Sequence, residues 1–188
     1  MTMAGCGGSN DPYEGVNPED YITPCDISKL EKPDPELYGE DLTKQDIKDI
    51  LWMDAVEATK VKKYPKEQVQ IYMDMFDVQL DQYCKENGIT RQEFLEEEGY
   101  GGEDEFKYFN KDQARYQVKG ELLAKYICEQ QGFTCSNSEL DEMIEELKDG
   151  GFTEENAVES TGRALKEYAY LVVMEDKAIK YIYKQVYQ

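Results

Sequence analysis

The chain has 188 residues, 40% apolar and 33% charged, enough for one domain or a domain with an extended arm. Lys and Arg number 21 against 41 Asp and Glu, a net charge of −20 that repels phosphate backbones and argues against nucleic acid, the ribosome or a bare anionic membrane as partners. There is no histidine, which excludes imidazole catalysis, His-containing metal sites and histidine pH switches.

At the N-terminus, Met3-Ala4-Gly5-Cys6 followed by Gly7-Gly8-Ser9-Asn10-Asp11 looks like the end of a lipoprotein signal: small residues before a cysteine, then a polar tether. A full signal carries an apolar stretch of roughly 7–15 residues before cleavage, whereas five residues precede Cys6. Residues 1–20 are therefore expected to be a signal remnant, a lipid-attachment cysteine at Cys6, and a solvated linker from Asn10 to Asp20. With Cys6 lipidated, Cys25, Cys84, Cys128 and Cys135 remain. Cys128 and Cys135 flank a helix end closely enough to bridge, leaving Cys25 with Cys84; four buried free thiols is the other reading. A zinc site is excluded by the lack of a close Cys-x-x-Cys pair.

From Tyr21 to Tyr38, prolines at 24, 33 and 35 forbid a helix interior and predict an extended arm laid against the body, anchored by Leu37, Tyr38 and Leu42. A first helix is predicted from the N-cap Thr43, with Asp46 at its third position and Ile47, Ile50, Leu51 and Ala55 on one stripe. It fades over Thr59–Lys63, a basic connector. Pro65 opens a second helix whose Val69, Tyr72, Met73, Phe76, Leu80 and Tyr83 recur at helical spacing until Asn87-Gly88. Thr90 and Glu93 form a capping box for a short helix through Glu98 that carries Phe94 and Leu95 inward. After Gly99, Gly101 and Gly102, a long helix is expected over residues 104–131, interrupted near Asn110, with Phe106, Phe109, Tyr116, Leu122, Leu123, Tyr126 and Ile127 on its stripe. Ser136 and Glu139 start another helix, closed by Gly150-Gly151. Thr153 caps a short helix, and a final long one runs from about Thr161 to Val186. No strand and no internal repeat is visible, so the fold class is all-α, with arm and first helix over 21–63 and a helical body over 64–188.

No catalytic, cofactor or metal constellation emerges. Gly99-Tyr100-Gly101-Gly102 lies between two helices without the Lys-Ser/Thr ending of a phosphate loop, so it is a hinge. Glu96–Glu98 and Glu103–Glu105 lack the alternating ligands of a calcium loop and are solvated faces. What stands out is 15 tyrosines and 7 methionines. Tyr72, Met75, Phe76, Tyr108, Phe109, Tyr116, Tyr168, Tyr170 and Met174 exceed what one buried face per helix requires. Such side chains suit an adaptable surface that binds unrelated peptides, although each singly is commonest in a core.

Tyr64-Pro65-Lys66-Glu67-Gln68-Val69, the long helix to Asn87-Gly88-Ile89-Thr90, Arg91–Glu98, Glu121–Ile127, Ser136–Leu140 and the closing 165–182 helix together resemble the C-terminal, chaperone domain of trigger factor. Tyr21–Glu31 is similar to the extended segment that precedes the prolyl-isomerase domain of that family, and Leu42–Asp54 to the helix just before it. The resemblance implies an elongated helical body with arm-like projections around a cradle that shields unfolded polypeptides without ATP. It also implies that the isomerase module, which would sit within Ala55–Lys63, and the ribosome-binding domain have been lost. The expectation is a non-catalytic, peptide-binding bacterial lipoprotein, lipid-anchored to the outer face of the cell membrane and taking no cofactor, its oligomeric state left open with a dimer among the options. An adaptor for one specific partner and a residual prolyl isomerase are the alternatives.

Overall fold

Helix boundaries follow local chemistry. In a computed structural model that describes residues 10–39 and 41–187, the amide of Thr43 donates to Asp46 Oδ2 at 2.8 Å while the Asp46 amide returns a bond to Thr43 Oγ1 at 3.1 Å. The same reciprocal pair joins Thr90 to Glu93 and Ser136 to Glu139. Each box satisfies amides that helix geometry leaves without partners, an effect worth about 1 kcal/mol per cap. Left-handed glycines close two of the long helices, Gly88 at φ 66° and Gly132 at φ 67°.

Eight α-helices result among the described residues: α1 (Pro35–Tyr38), α2 (Lys44–Ala58), α3 (Lys66–Asn87), α4 (Arg91–Glu97), α5 (Glu103–Gln131), α6 (Asn137–Asp149), α7 (Ala157–Thr161) and α8 (Leu165–Tyr187). The expected all-α class stands. Five local expectations are corrected. Leu37 and Tyr38 do not anchor the arm: they are 78% and 45% exposed, and Pro35–Tyr38 turn into α1 instead of staying extended. Helix α5 runs unbroken through Asn110, which is buried. Pro65 is the N-cap of α3, one residue before its first turn. Thr153 exchanges bonds with Asn156 in a turn, so that α7 begins only at Ala157. A break at Gly162 delays α8 to Leu165.

Two short strands also form, β1 (Ile22–Thr23) and β2 (Lys60–Val61), antiparallel with Ile22 opposite Val61. Thr59 Oγ1 bonds back to the Ala55 carbonyl at 2.9 Å and accepts from the Cys25 amide at 3.1 Å. The proline-rich arm is thereby stitched to the link between α2 and α3.

The interior is divided into three clusters. The largest gathers Leu51, Ala55 and Val56 of α2, Val118, Leu122 and Ile127 of α5, and Ala178 and Ile182 of α8. A second lies among Leu140 and Ile144 of α6, Ala157 of α7, and Leu165 and Ala169 of α8. The third, Leu80, Cys84, Leu95 and Phe106, holds α4 between the end of α3 and the start of α5. That last unit is an arm, and Arg91 braces it with ion pairs to Asp77 at 2.8 Å, Asp81 at 2.9 Å and Glu103 at 3.3 Å.

Gly162 tests the packing at the α7–α8 break. Its φ of 74° disfavours any side chain, and an added Cβ would lie 2.9 Å from Ile71 Cγ2 of α3. Gly162→Ala is expected to lower stability in urea unfolding by about 2–4 kcal/mol, combining left-handed strain and overpacking. Gly88→Ala, with φ 66° but open space around it, should cost only about 1 kcal/mol.

Candidate functional site

The nine residues singled out for a binding surface separate into three groups. Tyr72, Met75 and Met174 are buried and belong to the main core, which corrects their assignment to an open surface. Phe76, Tyr168 and Tyr170 are half-buried: Phe76 lies on the main core, Tyr168 lies beside Phe152 with ring centroids 5.7 Å apart, and Tyr170 bridges the first and second clusters. Tyr108, Phe109 and Tyr116 are exposed, at 67%, 45% and 38%, all on the outer half of α5.

Those three do not stand alone. Tyr83 of α3, 47% exposed, packs edge-on against Phe94 at 5.4 Å. Phe94 meets the buried Phe106 at 6.1 Å, Phe106 meets Tyr100 at 5.1 Å, and Tyr100 meets Phe109 at 5.8 Å. A string of five rings thus crosses the arm tip, rigid at its centre and open to solvent at both ends. Phe109 and Tyr116, seven residues apart, continue along one side of α5. Tyr83 was missed as a surface residue because its helical spacing places it on the core stripe. The available signal was the density of aromatics at 83, 94, 100, 106 and 109 around one glycine hinge. Beside Tyr100, a crevice of about 330 Å³ opens between Gln92, Leu95, Glu96 and Glu103.

A second constellation is buried. Glu121 of α5 accepts hydrogen bonds from the hydroxyls of Tyr72 on one carboxylate oxygen and Tyr13 on the other. Arg163 Nη2 pairs with Glu121 Oε2 at 3.0 Å and donates to Gln68 Oε1 at 2.8 Å. The Arg163 guanidinium lies 5.3 Å from the Tyr72 ring centroid and 5.7 Å from that of Tyr13. Burial alone would lower the Arg163 pKa, but Glu121 and the two phenols more than reverse that and raise it. Burial, then Glu121, raises both tyrosines, so they remain neutral donors. Tyr13 sits in the segment expected to be a solvated linker. It is 1% exposed instead, and Pro18 is buried beside a short 3₁₀ turn. Glu175 of α8 faces the same region; burial, then the charge on Glu121, pushes its carboxyl up to about 7.

Cys6 lies outside the described residues. The other four cysteines are free thiols, so the expected bridges do not form. Cys25 and Cys84 belong to different clusters, while the Cys128 thiol donates to the Met174 carbonyl at 3.3 Å and that of Cys135 to the Ser136 carbonyl at 3.7 Å. Burial lifts the Cys128 thiol to about 11 and also raises Cys25 and Cys135, which keeps them from the reactive thiolate form. Among the described residues no group of acidic or cysteine side chains could hold a metal ion, and no helix is long and apolar enough to cross a membrane.

The sequence model of the bacterial trigger factor protein C-terminus matches residues 38–184. No curated protein and no solved structure matches the chain.

Two outcomes test the buried cluster. Arg163→Met strips Glu121 of its cation and is expected to cost about 3–5 kcal/mol in denaturant unfolding. Glu175 titrates higher when folded, so its contribution to stability is complete below the unfolded value of 4.5 and is lost as pH rises through about 7. Glu175→Gln should therefore match the parent near pH 4 and exceed it at pH 8, by at most about 3 kcal/mol, in paired thermal melts.

Proposed function

The chain belongs to the bacterial trigger factor C-terminus family, and from that membership we propose that it holds unfolded polypeptide segments, without ATP, on the aromatic face of the α3–α4–α5 arm. The observation that carries this reading is the ring string that leaves Tyr83 and Phe109 exposed at opposite ends, with Tyr108, also exposed, next to Phe109 on α5. Aromatic rings on helices offer large contact area with few torsions to freeze, so an unfolded guest gains burial without the host losing much entropy. Tyrosine adds a hydroxyl that can bond to a guest backbone. The arm is stiffened by Arg91 and by its own small core, so the surface is preformed. No chemical step is proposed: binding and release are the whole cycle.

The proposal extends to location. Met3-Ala4-Gly5-Cys6 and the polar residues after it favour a lipid-anchored protein at the outer face of a bacterial cell membrane, meeting secreted chains as they emerge. Mass spectrometry of the protein from its host should find a lipid adduct on Cys6 that Cys6→Ser abolishes; an unmodified Cys6 thiol removes the anchor.

For the holding activity, light scattering by an unfolded client diluted from denaturant should fall when the protein is present in several-fold molar excess. A Tyr83→Ser/Tyr108→Ser/Phe109→Ser variant, with unchanged helical circular dichroism, should lose most of that suppression. Failure of the parent to suppress at all would sink the proposal.

A further inference from the structure

We propose that the helical body contains a preformed slot for a short turn of the form Asp-Pro-Tyr, and that residues 11–13 of this chain are its resident intramolecular occupant, exchangeable for a client segment of the same chemistry. This deepens the polypeptide-binding reading and rests on it, but concerns a different surface from the arm.

The contacts have the form of a bound peptide. Asp11 pairs with Lys125 of α5 at 2.8 Å. The Pro12 carbonyl accepts from Gln68 Nε2 of α3 at 3.0 Å. The Tyr13 hydroxyl reaches Glu121, and the Arg163 guanidinium covers its ring at 5.7 Å. These partners lie 56 to 114 residues away in sequence for the polar contacts of Pro12, Tyr13 and Asp11. No local element aligns them.

The occupant carries its own shape. The Tyr13 amide donates to Asp11 Oδ1 at 2.8 Å, the Glu14 amide to the Asp11 carbonyl at 3.1 Å, and the Val16 amide to the Tyr13 carbonyl at 2.9 Å. With Pro12 fixing one torsion, this is a turn that the same residues can form in another chain. Several of the slot's own bonds do not involve the occupant. Glu121 retains Tyr72 and Arg163, Arg163 retains Gln68 and the face of Tyr72, and Lys125 retains Glu129 at 3.1 Å. A chamber of about 20 Å³ beside Tyr13, Lys125 and Tyr170 shows that the occupant leaves space for about one water.

Exchange requires the strap to leave, which draws the Tyr13 ring out of the main core. Between residues 11 and 20 only Tyr13 and Pro18 are buried, and Glu14 and Gly15 between them are exposed. Gly15 has φ 73° and nothing within 4 Å of an added Cβ, so the chain can pivot there while Pro18 and Ile22 stay docked. Specificity follows from the chemistry: Lys125 selects an acidic residue two positions before the ring, and Glu121 selects tyrosine over phenylalanine.

The test uses the full chain carrying Tyr13→Ala and a fluorescent peptide with the sequence of residues 10–16. Saturable binding is expected to the variant and at least tenfold weaker binding to the parent, whose slot is filled in cis. Peptides with Phe for the tyrosine or Asn for the aspartate should bind at least fivefold more weakly. A folded variant that ignores the peptide, or takes the Phe version equally well, overturns the slot. If Tyr13→Ala does not fold, hydrogen exchange on the parent decides: Tyr13 and Val16 amides should exchange at least tenfold faster than those of Leu122 and Leu123, and equal protection overturns the proposal. Suppression of client aggregation with no peptide binding would dismiss the slot and leave the arm surface standing.

Discussion

The structure is organised around one buried carboxylate. Glu121 of α5 sits where α3, the α7–α8 break and the N-terminal strap converge, and each of these three supplies a donor to it: Tyr72, Arg163 and Tyr13. A carboxylate in so poorly solvated a place carries a desolvation cost of several kcal/mol that hydrogen bonds and a paired cation offset. Forming them requires four distant stretches of chain to arrive in one geometry. Losing one of these donors would leave a poorly solvated charge short of a partner, so the polar cluster favours the arrangement that brings these stretches together.

That requirement explains where the tyrosines went. Seven of the nine methionine and aromatic residues that composition singled out as surplus have a polar or aromatic partner or a core neighbour inside the molecule: the Tyr72 hydroxyl answers Glu121, Tyr168 lies on Phe152, Phe109 on Tyr100, and Met75, Met174, Phe76 and Tyr170 lie in or against the main core. The aromatic surface that stays open is narrower than composition suggests: Tyr83, Tyr108 and Phe109 lie on the arm, while other exposed apolar side chains, among them Leu37, Met53 and Val158, are scattered over other helices. At the arm, a separate small core, Leu80, Cys84, Leu95 and Phe106, lets three helix segments hold their shape away from the main body. Arg91, shared among three carboxylates, ties the segments together. A projection built this way can present rings to a guest without drawing on the packing of the body.

Legibility in the sequence tracked the range of the interactions involved. The three capping boxes and the stops at Gly88 and Gly132 were readable because every atom involved lies within a few residues. Helix order and the all-α class followed from them. The buried cluster was invisible for the converse reason. Asn10–Asp20 has the composition of a solvated linker, and nothing nearby signals that a carboxylate over a hundred residues away needs the Tyr13 hydroxyl. Asn110 misled similarly: a polar residue inside a stripe reads as an interruption, yet in the structure it is simply buried within continuous α5. The two-residue strands needed both the proline-rich arm and the basic connector to be seen as partners, which alternation over four or more residues would have revealed and two residues do not.

The net charge of −20 bears on the arm as well. Exposed rings on a neutral protein invite self-association, because the ring string of one copy is as good a guest as any client. Here the rings are set among Glu96, Glu97, Glu98, Glu103, Asp104 and Glu105, so two arms approaching ring to ring bring like charges together. A neutral or cationic guest meets no such barrier. The acidity thus separates two processes that the same apolar surface would otherwise favour equally, and it weakens with salt because the charges are solvated. In the proposed reading, an exposed aromatic surface and a strongly acidic frame are parts of one arrangement: the first would supply attraction without sequence selectivity, and the second would disfavour copies of the protein itself as guests.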